Sequence, residues 1–170
     1  AQAEYVLMLN PDMYLMHDAL QKMIDFLDKH KSASVVSTRL MRWDFDVVQK
    51  CNDNDISVQA QKGYTDQIDA IGIRLLRNRR AVEWLTGHTW TQNSESSEVQ
   101  SIFNQKTVEV FGVSGAFPMF RKSMLDGLLL PGDHVFDPTY HSYKEDLDLA
   151  YRMRNAGYTS YVLLDTAAYH

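Results

Sequence analysis

An α/β fold with a mainly parallel sheet and flanking helices is predicted by three observations. Tyr5-Val6-Leu7-Met8-Leu9 is an unbroken apolar run of strand length, the pattern of a strand buried on both faces. Extended and helical patterns then alternate along the chain without internal repeats. Finally, 170 residues that are 45% hydrophobic and 11% aromatic supply the apolar material for one domain with a real core.

The first strand stops at Asn10-Pro11-Asp12, where proline removes a backbone donor and an acid is left at the strand's carboxyl end. Open α/β sheets bind ligands at that end, although Asn and Asp flanking a proline also make an ordinary turn. Leu20, Met23, Ile24 and Leu27 fall at i, i+3, i+4 and i+7, one apolar face of a helix over residues 17–30. Residues 34–40 read as a second strand. Residues 43–67, centred on Asn52-Asp53-Asn54-Asp55, and residues 86–105 are polar and patternless, and surface loops or short hairpins are expected there. Between them lies the one dense basic stretch, Arg74-Leu75-Leu76-Arg77-Asn78-Arg79-Arg80. It reads as a solvated loop or hairpin, with an anionic ligand or lipid headgroup as its other use. Residues 108–113 and 116–121 are extended around Gly112 and Gly115, and a short helix over 123–129 closes at Pro131-Gly132. A further helix over 144–156 ends at Gly157, the residue type suited to a left-handed helix end. Residues 158–164 form the final strand.

Charge and cysteine content exclude some classes. A net charge of −5 and a pI near 5.6 do not suit a general nucleic-acid binder, which needs a basic face to neutralise phosphates, so no nucleic-acid partner is expected. Cys51 is the single cysteine and cannot form an internal disulfide, which makes the cytoplasm the expected compartment. No apolar run approaches the ~20 residues that cross a bilayer. Any membrane association is therefore expected to be peripheral, at the inner face. The chain opens almost directly in its first strand and without an initiator methionine, which suggests a fragment.

A second acidic signature, Glu145-Asp146-Leu147-Asp148-Leu149, occupies the first turn of the acidic helix. The macrodipole there favours ionised carboxylates. Such a pair suits a metal or a general base, and equally suits the plainer task of satisfying free N–H groups at a helix start.

Taken together, the motifs resemble the family 2 glycosyltransferases, and within them the rhamnosyltransferase-like branch. In order they are Leu9-Asn10-Pro11-Asp12, Ile68-Asp69-Ala70-Ile71-Gly72-Ile73, Val110-Phe111-Gly112-Val113-Ser114-Gly115-Ala116, Phe136-Asp137, the run from Glu145 through Arg152-Met153-Arg154-Asn155-Ala156-Gly157-Tyr158, and Ala168-Tyr169-His170. The resemblance covers nearly the whole chain. It implies a GT-A, Rossmann-like sheet, a single catalytic domain over 1–170, a nucleotide-diphosphate-sugar donor and a divalent metal, Mn or Mg. It further implies inverting transfer of a sugar, rhamnose by branch, to a glycan or lipid-linked acceptor in surface polysaccharide or cell-wall synthesis.

The resemblance also implies roles. Asn10-Pro11-Asp12 looks like a variant of the Asp-x-Asp motif in which Asn10 replaces the first acid and hydrogen-bonds the donor, while Asp12 ligates the metal that absorbs charge on the leaving diphosphate. His170 matches the position of an imidazole ligand, which suits Mn better than Mg. Asp146 is the general base for the acceptor hydroxyl, with Glu145 as runner-up. Asp148 lies about 200° around the helix from Asp146 and reads as a structural acid. Gly112 and Gly115 permit close backbone approach, and Gly115 and Ala116 are assigned to donor binding. Asp69 reads as a turn or acceptor-side residue, and Arg152 and Arg154 stand outside the site.

One departure is large: relatives carry an upstream strand and an Asp-x-x-Ser-x-Asp-Gly type segment for base and ribose, with no counterpart before Tyr5. The expectation is a catalytic domain truncated at its amino end, whose isolated activity is in question and whose exposed sheet edge invites association. Two other classes remain. One is a non-catalytic interaction module of the same fold. The other is a metal-dependent nucleotidyl- or phosphotransferase, against which the lack of a glycine-rich phosphate loop followed by Lys counts.

Overall fold

Two long strands organise the chain. The computed structural model describes residues 3–51, 55–140 and 144–170, so Asn52, Asp53 and Asn54, the centre of the expected polar loop, lie outside the described residues. Strands β3 (Ala33–Trp43) and β9 (Thr159–Tyr169) run side by side in parallel from Ala33↔Thr159 to Met41↔Tyr169. Each fills its other edge with two short antiparallel strands. On β3 these are β8 (Met119–Arg121) and β4 (Tyr64–Ala70); on β9 they are β7 (Thr107–Val110) and β2 (Tyr14–Leu15). Strand β1 (Tyr5–Leu7) pairs antiparallel outside β8, and a separate hairpin joins β5 (Ile73–Leu75) to β6 (Ala81–Glu83).

The mainly parallel, GT-A or Rossmann-like sheet expected from sequence is therefore not what forms. Among the described residues only β3 and β9 pair in parallel, and the sheet is mostly antiparallel and strongly curled, like half a barrel. Strands β1 and β3 do point the same way, but β8 is inserted between them in reverse, so both of its pairings are antiparallel. An apolar run reports burial on both faces and carries no information on strand direction. On one face of β3, Val36 and Leu40 pack against Met23 and Leu27 of helix α1 (Ala19–Lys29). On the other, Val35 and Met41 share a core with Val99 and Ile102 of α4 (Ser97–Ile102) and with Leu149 and Met153 of α6 (Glu145–Asn155).

Other expectations shift for local reasons. Leu7 and Leu9 of the first apolar run are exposed, because β1 ends at Leu7 beside only one neighbour. Leu20 is exposed as well, and the buried face of α1 is Ala19, Met23, Phe26 and Leu27. The patternless stretches contain helices too short to show a 3.6-residue period. These are α2 (Phe45–Gln49), α3 (Ile56–Lys62) and α4, each begun by a capping side chain: Asp44 accepts from Val47 N–H, Asp55 from Ser57 N–H and Ser96 from Val99 N–H. Helix α5 (Lys122–Asp126) follows β8 directly. No helix among the described residues is long and apolar enough to cross a membrane.

Strand β9 continues well past its expected end. The register jumps from Thr38↔Leu163 to Arg39↔Ala167, so residues 164–166 bulge out and the strand resumes. That bulge carries the chain to His170, whose N–H donates to Met41 O at 2.8 Å and whose carbonyl accepts from Trp43 N–H at 3.0 Å.

Candidate functional site

The two acidic signatures meet through Gly115 and Ala116. Beyond β1 the backbone keeps pairing: Met8 N–H donates to Pro118 O and Asn10 N–H to Ala116 O, both at 2.9 Å. The Asn10-Pro11-Asp12 turn is thereby laced to the loop before β8. On the other side of that loop, Gly115 N–H donates to Asp146 Oδ2 at 3.1 Å, while Asp146 Oδ1 accepts from Leu147 N–H at 2.7 Å. A Cβ at position 115 would stand 3.6 Å from Asp146 Cβ and 4.0 Å from Glu145 Oε1, so the glycine keeps the space over both acids open. Glu145 Oε2 is buried and has no hydrogen-bond partner among the described residues. The side chains of Asn10 and Asp12 stand exposed at the mouth.

Across the cleft, strand register assembles a second group. Asp69 near the end of β4, Arg42 near the end of β3 and His170 just after β9 occupy three adjacent strands at nearly the same level. His170 Nδ1 lies 3.2 Å from Asp69 Oδ2, and its Nε2 lies 3.7 Å from Asp12 Oδ1. Arg42 Nε is 3.8 Å from the other Asp69 oxygen. A carboxylate only accepts, so in the neutral imidazole Nδ1 carries the proton and Nε2 presents its lone pair toward Asp12. Gly72 makes the turn after β4 possible: its φ is +70°, and a Cβ there would fall 2.8 Å from Gly112 O.

Sequence reasoning missed Glu83, at the end of β6. Its carboxyl is held above the usual range, first by the crowding of the protein around it, then by the charges of Asp69 and Asp146, with His170 opposing. More than a third of its surface remains in solvent, so the crowding is that of a cleft and not of a packed core. Glu83 thus feels both halves of the site. A lone acid three residues past a basic run gives no warning of this, because only the hairpin carries it there.

This arrangement has a stability consequence. A carboxyl with a raised folded-state pKa favours the protonated form, so ionised Glu83 opposes folding above that pKa, and the penalty fades as pH falls toward the ordinary Glu range. Glu83→Gln is expected to melt above the wild type at pH 7, with the gap closing on acidification to pH ~4. Thermal melts across that range check it. Equal melting temperatures at pH 7 would show that burial and the neighbouring carboxylates together do not disfavour ionised Glu83.

The remaining sequence candidates have structural partners. Asp148 pairs with Arg152 at 2.9 Å, and Arg152 also donates to the carbonyls of Leu128 and Val135. Arg154 pairs with Glu109 and donates to the carbonyls of Phe111 and Val110. In the basic stretch, Arg74 pairs with Glu98 at 2.5 Å and lies over the Trp84 ring. Gly112 serves packing and not a ligand, because a Cβ there would meet Ala150 Cβ at 2.4 Å.

Metal binding has a partial donor set. Among the described residues no three His, Cys, Asp or Glu side chains form a cage for a metal ion. Asp12 Oδ1 and His170 Nε2 do face each other, with the far side of the imidazole held by Asp69. Those residues fit a cation with two protein ligands whose other positions are left to phosphate oxygens and water. Compared with protein-family models and with curated proteins, the chain matches none.

Proposed function

We propose that this chain carries the catalytic residues of an inverting glycosyltransferase. It would move a sugar from a nucleotide-diphosphate-sugar to a hydroxyl of a glycan or lipid-linked acceptor. Rhamnose as the sugar, synthesis of a surface polysaccharide or cell wall, and a cytoplasmic site at the inner membrane face belong to the same reading. One observation carries it: the Gly115-Ala116 loop binds the Asn10-Pro11-Asp12 turn through Asn10 N–H and the helix acid through Asp146 Oδ2. Two acidic segments far apart in sequence are thereby tied to adjacent residues of one loop, as a transfer between a diphosphate and a hydroxyl would need.

In this reading the acceptor oxygen attacks the anomeric carbon as the bond to the diphosphate oxygen breaks, and the acceptor's proton passes to an Asp146 oxygen. Backbone N–H groups on both Asp146 oxygens aim the carboxylate before substrate arrives. Asp12 and His170 would hold the cation, Mn or Mg, which when bound offsets charge on the leaving diphosphate. Asp69 fixes the tautomer and plane of His170. Asn10, which is exposed, would hydrogen-bond the donor.

Calorimetric titration with dTDP, UDP and GDP, each with and without Mn²⁺, tests this. One nucleotide is expected to bind in the presence of Mn²⁺, and Asp12→Ala is expected to weaken that binding by at least about tenfold, or ~1.4 kcal/mol. Binding of none of the three, or binding indifferent to both the metal and Asp12, would remove the basis for the proposal.

A further inference from the structure

Beyond Arg42 the same end of the sheet opens into a cleft of about 290 Å³ that none of the reacting groups above occupies. Its aromatic side is formed by Trp43, the last residue of β3, and Phe45, the first of α2, with ring centroids 4.9 Å apart and planes at 58°. Trp43 is anchored from behind. Its Nε1–H donates to Ala60 O at 2.9 Å, Tyr14 packs at 5.8 Å, and Gly63 approaches so closely that a Cβ would fall 2.2 Å from Nε1. Phe45 is different: it is 46% exposed on a five-residue helix that buries none of its residues. Its one ring contact among the described residues is the tilted packing on Trp43, and the rest of the phenyl ring is left to solvent.

The rest of the lining is polar. The Asp46 carboxylate has no hydrogen bond or ion pair among the described residues, while Asp44 spends one oxygen on the cap of α2. Gln67 lines the cleft with its amide at only 3.5 Å from Gly87 O. An exposed aromatic ring beside carboxylates and an amide in one cleft is the chemistry that recognises a pyranose. The C–H face of the sugar lies on the ring, hydroxyls donate to the carboxylates, and the amide both donates and accepts. A phosphate would meet two like charges there against the single guanidinium of Arg42, which already stands beside Asp69, and an acyl chain would have to desolvate them. The cleft is also continuous with the transfer centre. Arg42 lines it and touches Asp69, Asp69 holds His170, and Tyr169 before His170 stacks on Tyr64 at 4.0 Å, which in turn packs on Tyr14.

We propose that this cleft is an acceptor subsite, in which Trp43 and Phe45 hold one sugar ring of the acceptor glycan beside the transfer centre. The inference rests on the glycosyl-transfer reading above. It adds that the acceptor is recognised through a sugar and not only through a lipid carrier.

Nuclear magnetic resonance of ¹⁵N-labelled protein tests it directly, because the chain has three tryptophans and one of them lines the cleft. The probes are millimolar methyl glycosides of rhamnose, glucose, galactose and N-acetylglucosamine, titrated separately from the three nucleotides with Mn²⁺ and from anionic phospholipid vesicles. At least one glycoside is expected to shift the Trp43 indole N–H and leave those of Trp84, bonded to Glu98, and Trp90 unmoved. Phe45→Ala should weaken that binding at least about tenfold, Asp46→Asn should weaken it less, and neither should alter nucleotide binding. No response at Trp43 to any glycoside, an equal response in Phe45→Ala, or a response to vesicles alone each overturns the subsite. Nucleotide binding without glycoside binding sinks the subsite and leaves the transferase reading. Glycoside binding at Trp43 without nucleotide binding keeps the sugar site and sinks the transferase reading.

Discussion

Replacing Asp146 by Asn is expected to lower kcat for sugar transfer by about 10²–10⁴-fold while leaving donor KM and the fold nearly unchanged. The amide is the same size as the carboxylate, and its oxygen can still accept from Gly115 N–H, so the loop that joins the two signatures keeps its bond, while the bond from Leu147 N–H is lost to the amide NH2. What is lost is the ability to take the acceptor's proton. Glu145→Gln should cost less than about tenfold by the same logic, because among the described residues no backbone donor fixes the Glu145 carboxylate and one of its oxygens is buried without a partner. Initial rates with the nucleotide-sugar identified by titration separate the two. An Asp146→Asn enzyme that keeps a tenth or more of wild-type kcat would remove Asp146 as the base, and a larger loss in Glu145→Gln would transfer the role to its neighbour.

The two acidic signatures, Asn10-Pro11-Asp12 and Glu145-Asp146, stand out in the sequence because what marks them is local. A proline that stops an apolar run and three acids in one helical turn are patterns within a few residues. Their meeting at Gly115 was not legible from spacing, since it depends on Asn10 pairing antiparallel with Ala116, and an apolar run does not state its direction. The same ignorance of direction produced the parallel sheet that the structure replaces with a mostly antiparallel, curled one. His170 was marked by a motif, but its partner Asp69 was read as a turn or acceptor-side residue; the register of β4, β3 and β9 is what brings the two within 3.2 Å. Glu83 and Arg42 had no local signal at all. Phe45 lay in a stretch that read as loop, because a helix of five residues is shorter than the window over which a period can be seen.

The largest effect on stability is expected at a residue that sequence patterns pass over. Arg121 ends β8, is only 7% exposed and yet is charged. Its Nη2 donates to Leu27 O at 2.6 Å and Nε to Ala33 O at 3.3 Å, with His30 O at 3.4 Å and the Tyr5 ring 5.5 Å below the guanidinium. Leu27 and His30 carry carbonyls at the carboxyl end of α1, where four such groups lack helical partners and the macrodipole is negative. Arg121 is therefore a cap supplied from another strand, tying the end of α1 to the start of β3 and, through Tyr5, to β1. Each charge-assisted hydrogen bond is worth about 1.5–3 kcal/mol, and its loss here strands carbonyls with little access to water. Arg121→Ala is then expected to cost about 3–5 kcal/mol of a total on the order of 5–15. Arg121→Lys should recover only part of this, because one ammonium cannot span three carbonyls as the planar fork does. Removing Lys122, whose pair with Asp126 is surface-exposed, should cost less than about 1 kcal/mol, which makes it the matched control one residue away. Urea unfolding of the four proteins decides the matter. If Arg121→Ala lies within 1 kcal/mol of the wild type, then α1 is capped by water and the guanidinium is incidental. If the full loss appears, nucleotide affinity should fall with it, because the strand that Arg121 secures runs from the Ala116 carbonyl to which the Asn10-Pro11-Asp12 turn is bound.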